Sequence, residues 1–304
     1  LLPMMVAAGH DRARSAGLIA SAGIIAPVIP PSIGFVIFGV AGNVSISKLF
    51  MAGIVPGIML GASLWITWWW LARREVVQVP PRKNIREIGV AMREATWALV
   101  MPLIVVFGLK FGVFTPTEAA VVAAVYALLI STLVYRELGL KDLYPLFVSS
   151  AKTSAVVMFL VAAAMVSAWL ITVANLPAQL IEILQPMLDS PRLLMFTIMV
   201  IIIVIGTALD MTPTILLLTP VLMPVVKAAG IDPVYFGVLF IINCAIGLIT
   251  PPVGTVLNAV AGVGKISMDE VTRGVMPFMI AQFTIMFAMV AFPALVMVPA
   301  RWFY

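Results

Sequence analysis

Asp210 is the only carboxylate between Arg192 and Asp232, and its neighbours are almost all apolar. An ionisable side chain inside a membrane-type segment is a functional candidate by default. It sits on a polar tip, Gly206-Thr207-Ala208-Leu209-Asp210-Met211-Thr212-Pro213, that interrupts a helical run. Two proline pairs, Pro30-Pro31 and Pro251-Pro252, interrupt two other apolar runs. Proline lacks an N–H, so each pair frees the carbonyls four residues earlier: those of Ala26 and Pro27, and those of Gly247 and Leu248. A carbonyl without a partner in hydrocarbon costs several kcal/mol, and a bound cation removes that cost. Thr250 adds a hydroxyl, and nothing adds nitrogen or sulfur, so the donor set suits Na⁺ rather than a transition metal.

These residues predict one Na⁺ site near Asp210, Gly247 and Thr250, with a pseudo-symmetric one near Ala26, Ile29 and Pro31. The helix that begins after Pro252 presents free N–H groups and a positive dipole end, which suit an anion. Thr255 and Asn258 lie on its first turns. With Ser32 in the first half and Thr207 on the tip, they are the candidate substrate contacts. The same residues also admit a plainer reading, in which the prolines kink helices whose carbonyls hydroxyls satisfy, and Asp210 only caps a helix.

Positioning such residues needs a membrane-spanning framework, and the composition demands one. Of 304 residues, 63% are hydrophobic and 10% charged, with a mean hydropathy of +1.16. A soluble domain has roughly 45–50% apolar and about 25% charged residues. The net charge of +5 comes from too few charges to form a phosphate-binding face, so nucleic acid is excluded as a partner. One cysteine, Cys244, and one histidine, His10, exclude a disulfide framework and a His or Cys metal cluster. No Gly-x-Ser-x-Gly or His-Glu-x-x-His motif is present, so the chain reads as no enzyme.

No charge falls between Arg14 and Lys48, or between Asp232 and Lys265, and both spans exceed the roughly 20 residues of one crossing. With a proline pair in the middle of each, both read as helix, break, helix. Ordinary crossings are predicted near 49–72, 95–111, 150–174 and 268–298. The first ends in Trp68-Trp69-Trp70 and Arg73-Arg74, an interfacial anchor. A connector over 73–94, with Arg82, Lys83, Arg86 and Arg93, is expected to include a surface helix. Thr115-Pro116-Thr117-Glu118 forms a capping box that starts a helix reaching about 135. Ser190-Pro191 starts another, to about 208, and a partner helix follows the tip to about 228.

The order Leu1-Leu2-Pro3, Ala7-Ala8-Gly9, Asp11 returns as Leu222-Met223-Pro224, Ala228-Ala229-Gly230, Asp232. The same spacing of 221 relates the two proline pairs. After a one-residue slip, Gly34 pairs with Gly254, Gly42 with Gly262 and Ile46-Ser47 with Ile266-Ser267. The original spacing resumes at Gly53 with Gly274 and Pro56 with Pro277. With the connector placed in the cytoplasm, all but five of the 18 basic residues (Lys48, Lys110, Arg192, Lys227, Arg301) fall on that side. That orientation requires 191–228 to be a re-entrant hairpin, and it makes the two copies inverted. Inverted repeats with broken helices point to a secondary transporter. By the repeat register, the opening Leu1-Leu2-Pro3 predicts a chain cut inside the first copy, without a signal peptide and without most of the first hairpin.

Ile29-Pro30-Pro31-Ser32, Phe114-Thr115-Pro116-Thr117-Glu118-Ala119, Leu209-Asp210-Met211-Thr212-Pro213 and Thr250-Pro251-Pro252-Val253-Gly254 together resemble the large membrane subunit of tripartite ATP-independent periplasmic (TRAP) transporters. The resemblance runs over essentially the whole chain. It implies an all-α polytopic protein of the bacterial inner membrane with an elevator fold. Residues 1–48 and 189–266 would form the transport domain, and 49–188 and 267–304 the scaffold. It also implies Na⁺-coupled import of an organic acid such as a C4-dicarboxylate or a sialic acid. A periplasmic binding protein would deliver the acid, and a small four-helix membrane subunit would accompany the chain. Na⁺ would be held by Asp210, Gly247 and Thr250 and by Ala26, Ile29 and Pro31; the first site would need the absent hairpin tip, so the chain alone would not transport. The competing reading is a stand-alone Na⁺/dicarboxylate symporter of the related elevator fold. Such carriers are expected to have Ser-Asn-Thr motifs at the hairpin tips, and the tip at 206–213 has none.

Overall fold

Capping chemistry sets most of the helix starts. Asp11, Ser32, Ser45, Asn84 and Thr115 each accept a first-turn N–H, as do Asp210, Asp232 and Ser267. The computed structural model describes residues 1–73, 75, 77 and 84–303, and among these the regular structure is entirely helical. In chain order the helices are α1 (Leu2–Ala7), α2 (Arg12–Gly23), α3 (Ile33–Gly42), α4 (Ile46–Ala72) and α5 (Ile85–Lys110). Next come α6 (Pro116–Leu129, continued by a π-helical turn, Ile130–Val134), α7 (Leu140–Val173), α8 (Leu176–Leu188), α9 (Pro191–Gly206) and α10 (Met211–Ala228). The chain closes with α11 (Pro233–Gly247), α12 (Thr255–Gly264), α13 (Met268–Ala291) and α14 (Ala294–Ala300). Six of these are long and apolar enough to cross a membrane: α4, α5, α6 with its π turn, α7, α10 and α13.

The chain divides into two units, residues 1–79 with 170–304, and residues 80–169. The first is built around α11, whose residues from Val234 to Gly247 are all buried. A helix apolar all round belongs in an interior, and α3, α4, α9, α10 and α13 all pack on it. Phe236 and Phe240 stack there, 5.5 Å between centroids, with Phe38 beside both. Glycine permits the closest approach, where α2 crosses α13. A β-carbon on Gly17 would lie 2.2 Å from the Gly274 carbonyl carbon, and one on Gly274 would lie 1.8 Å from Ala13 O.

The first unit shows the inverted repeat directly. Leu2 lies against Gly264, and Met223 lies against Gly42. The start of α2 meets the end of α12, where Arg12 Nη2 donates to Gly264 O and Lys265 O at 3.1 and 3.0 Å. Reciprocally, the start of α11 meets the end of α3 and the start of α4, with Gly237 against Phe38 and Leu49. Each broken helix also begins beside the end of the long helix of its own copy. Glu75, just past α4, accepts from His10 Nδ1 (2.8 Å) and Arg14 (3.1 Å), while Tyr235 on α11 donates to Met289 O on α13 (2.9 Å). Both Pro30-Pro31 and Pro251-Pro252 are joined by cis peptide bonds.

The structure corrects the register of the repeat after these prolines. The N-caps Ser32 and Gly254, the left-handed C-caps Asn43 and Lys265, and the N-caps Ser45 and Ser267 are all 222 apart. One residue is therefore added to the second copy, so Gly34 and Gly254 are not equivalent.

In the second unit, α5 and α6 pair side by side. Tyr126 and Tyr135 donate to Trp97 O and Glu94 O, both at 2.8 Å, and Phe114 covers Gly108. Most of the surface of α5, α6 and α7 is exposed. No separate surface helix forms after Asn84. The segment with Arg86 and Arg93 is the first part of α5, because no proline or turn separates it from the apolar stretch, and the helix continues through Pro102 to Lys110. Arg74, Arg82 and Lys83 lie outside the described residues. Arg73 lies 3.3 Å over the ring of Trp69. Three further boundaries differ from expectation. Helix α7 begins at Leu140, tolerating Pro145 near its start; α8, not predicted, packs on α9 and α10; and Phe292-Pro293 ends α13, so that α14 folds back on α4.

Candidate functional site

Helix α9 is 16 residues long, about 24 Å at 1.5 Å per residue, short of the roughly 30 Å of a hydrocarbon core. Its first residues, Pro191, Arg192 and Met195, line one cavity with Ile231 and Asp232, which follow α10. The hairpin therefore returns to the end where it began; its tip, 207–210, is mostly exposed, and the residues on either side of it pack on the rest of the first unit. There Gly206 meets Gly247 backbone to backbone, with a β-carbon on Gly247 only 3.1 Å from Gly206 O. On the other side of the tip, Met211 lies against Gly34, the second residue of α3. One tip thus touches the helix on either side of the pseudo-symmetry, near both breaks.

The second break is wound tightly. After Gly247 the chain makes three successive 3₁₀ bonds, ending with Thr250 N to Gly247 O at 3.0 Å. Thr250, 9% exposed, donates through Oγ1 to Ile246 O at 2.8 Å. Leu248 O accepts from Val256 N at 3.1 Å, across the proline pair. At the first break, Ser32 is buried, caps α3 through Phe35 N and donates to Pro27 O. The expectation that the prolines leave their carbonyls bare is thus corrected for Pro27, Gly247 and Leu248, each of which has a protein donor. Each still has a second lone pair to offer. Ala26, Ile29 and Pro31 are exposed on the first unit.

Asp210 is exposed and accepts from Met211 N at 2.9 Å, as a helix cap does. The structure places Asp210 on the same tip as Gly206, which meets Gly247, but shows no contact between its carboxylate and Gly247 or Thr250. Thr207 Oγ1 donates to Val204 O (2.7 Å) and Asn258 Nδ2 to Val253 O (2.7 Å). Thr255 is the first residue of α12, whose N-cap, Gly254, has a left-handed backbone and no side chain to cap the amides. Among the described residues no three His, Cys, Asp or Glu side chains gather into a metal site. A cation here would be held mainly by carbonyl, hydroxyl and amide oxygens, with Asp210 the one carboxylate on the tip.

The sequence reading missed Asn243. It is buried on α11, four residues before Gly247, and its Nδ2 donates to Met199 O on α9 at 2.7 Å. Its signal was present: it is the only amide side chain between Asp232 and Pro251, and it keeps helical spacing with Gly247.

Residues 1–295 match the family described as tripartite ATP-independent periplasmic transporter, DctM component. The chain belongs to that family. It is 54% identical over 302 residues to the 2,3-diketo-L-gulonate TRAP transporter large permease protein of Escherichia coli (strain K12), covering 99% of this chain and 71% of that protein. It is 37% identical to the sialic acid TRAP transporter large permease protein of Vibrio cholerae, covering 91% of this chain and 65% of that protein. Identity to the C4-dicarboxylate TRAP transporter large permease protein of Pseudomonas aeruginosa is 32%, over 98% of this chain and 70% of that protein. As a DctM-family chain with six crossing-length helices, it is a multi-pass protein of the bacterial inner membrane, and a transporter component rather than an enzyme.

Proposed function

We propose that the protein imports an organic acid by Na⁺-coupled secondary transport, with a transport domain built on residues 1–48 and 189–266 moving as an elevator. The observation that carries this reading is the hairpin tip seated against both inverted copies, with Gly206 on Gly247 and Met211 on Gly34. Na⁺ is held as cargo by Asp210, Gly247 and Thr250, and at the first break by Ala26, Ile29 and Pro31. The acid is met by the uncapped first turn of α12, with Thr255, Asn258, Thr207 and Ser32.

The three relatives described above are named for carboxylic acids of different size. The 54% identity with a 2,3-diketo-L-gulonate permease makes a small sugar acid the first to test. A periplasmic binding protein delivers the acid, and a small four-helix membrane subunit covers part of the apolar surface of α5, α6 and α7. Packing further suggests that α4 and α13 travel with the broken helices, since α2 and α13 touch backbone to backbone.

The full-length protein, reconstituted with its small subunit and binding protein, is expected to take up the acid only with an inward Na⁺ gradient. Uptake that needs no binding protein would instead support a stand-alone Na⁺/dicarboxylate symporter, and uptake indifferent to Na⁺ would defeat the coupling.

A further inference from the structure

The base of the hairpin encloses a cavity of about 180 Å³. Its walls include Met195 on α9, Ile231 in the turn before α11, Val290 on α13 and Met297 on α14. An apolar cavity of about 150 Å³ stays dry and takes up a small hydrocarbon, so a hollow of this size and lining suits an apolar group rather than water. Two exposed side chains of opposite charge, Arg192 and Asp232, line the same cavity. Neither is in an ion pair among the described residues. Asp232 caps α11 through Oδ1, which accepts from Val234 N and Tyr235 N at 2.7 and 3.1 Å, and that leaves Oδ2 to accept from something else. The Tyr235 hydroxyl already donates to Met289 O at 2.9 Å, so Arg192 is the side chain of the cavity with donors to offer.

Opposite charges that stand unpaired over an apolar hollow match a ligand that carries both signs and an apolar tail. A guanidinium pairs best with a planar fork of anionic oxygens such as a phosphate presents, and a free carboxylate oxygen with an N–H donor. The surroundings place such a ligand in the bilayer. Arg192 is one of the five basic residues that the charge bias leaves outside the cytoplasm. Phe196 lies one turn further along the same face of α9 and, with Leu193 and Val200, continues as an exposed apolar surface toward the hydrocarbon.

We propose that the cavity binds a phospholipid with a phosphoethanolamine headgroup: the phosphate lies on Arg192, the ammonium on Asp232 Oδ2, and part of an acyl chain fills the hollow. Bound there, the lipid ties the base of the hairpin to the corner between α13 and α14. Asp232 makes the site selective. A phosphoglycerol headgroup sets net negative charge beside a carboxylate, and a phosphocholine has no N–H to donate.

The full-length protein in detergent, titrated with the dihexanoyl forms of phosphatidylethanolamine, phosphatidylcholine or phosphatidylglycerol, gives a midpoint for each from the rise in Tm. Phosphatidylethanolamine is expected to bind tightest. Glycerophosphoethanolamine, the same headgroup without chains, is expected to give no shift over the same range, which separates a membrane lipid from a soluble phosphoester. Arg192→Gln is expected to weaken all three lipids about five- to tenfold, the size of one charge-assisted contact. Asp232→Asn keeps an oxygen for the α11 cap and should fold normally, while the preference for phosphatidylethanolamine over phosphatidylglycerol disappears. Wild-type midpoints in Arg192→Gln overturn the proposal. So does an unchanged lipid preference in Asp232→Asn, or a shift with the bare headgroup equal to that with the lipid. A protein that ignores all three lipids and is stabilised through Arg192 by its periplasmic binding protein would assign this face to a protein contact, which overturns the proposal as well.

Discussion

Two roles compete for Asp210, and the carboxylate geometry shows one of them, the cap on α10. Serine preserves a capping oxygen and removes the charge, so it separates the roles. Asp210→Ser is expected to keep stability within about 0.5 kcal/mol while losing Na⁺-dependent uptake, whereas Asp210→Ala loses uptake and about 1 kcal/mol of stability as well. Uptake with normal Na⁺ dependence in the serine variant would reduce Asp210 to a cap. Asp210 was legible because it is isolated in sequence, and charge in an apolar run is visible without coordinates. Asn243 was not singled out because an uncharged amide on a helix gains meaning only from what it faces, here the Met199 carbonyl.

Between helices, glycine placement decides which packings are possible. Gly17→Ala or Gly274→Ala would drive a β-carbon to within about 2 Å of backbone atoms across the α2–α13 crossing. Backbone cannot rotate away as a side chain can, so each should cost at least about 1–3 kcal/mol, the upper range for overpacking, seen as a lower Tm. Gly23→Ala, with nothing within 4 Å, is the matched control and should be close to neutral. Gly247→Ala is a milder case, because its β-carbon would lie 3.1 Å from Gly206 O and the tip must shift by a few tenths of an ångström. That protein is expected to fold with near-normal Tm and show a raised Na⁺ requirement for uptake; an unchanged requirement would separate the tip contact from the cation. Caps and proline pairs made the broken helices legible in sequence. The extent of α5 and the existence of α8 were not, since a polar helix start resembles a connector until something packs on it.

If the transport domain moves as one body, cross-linking within it should leave transport intact. Met223 and Gly42 are in contact, a β-carbon on Gly42 lying 3.5 Å from Met223 Cγ. A disulfide between Met223→Cys and Gly42→Cys is therefore expected to form on oxidation and to preserve uptake in proteoliposomes. Loss of uptake on oxidation, restored by reduction, would show that α3 and α10 slide past each other during the cycle. At this scale the sequence alone determined the solvent, the helical class, the repeat and its inversion, because hydropathy, charge bias and proline spacing are properties of order along a chain. Only the tertiary structure decided that the hairpin tip touches both copies, that three of the freed carbonyls have donors, and that α4 and α13 pack with the broken helices. Those outcomes depend on which faces meet, and contacts between residues some 40 to 260 apart are fixed by packing rather than by local order.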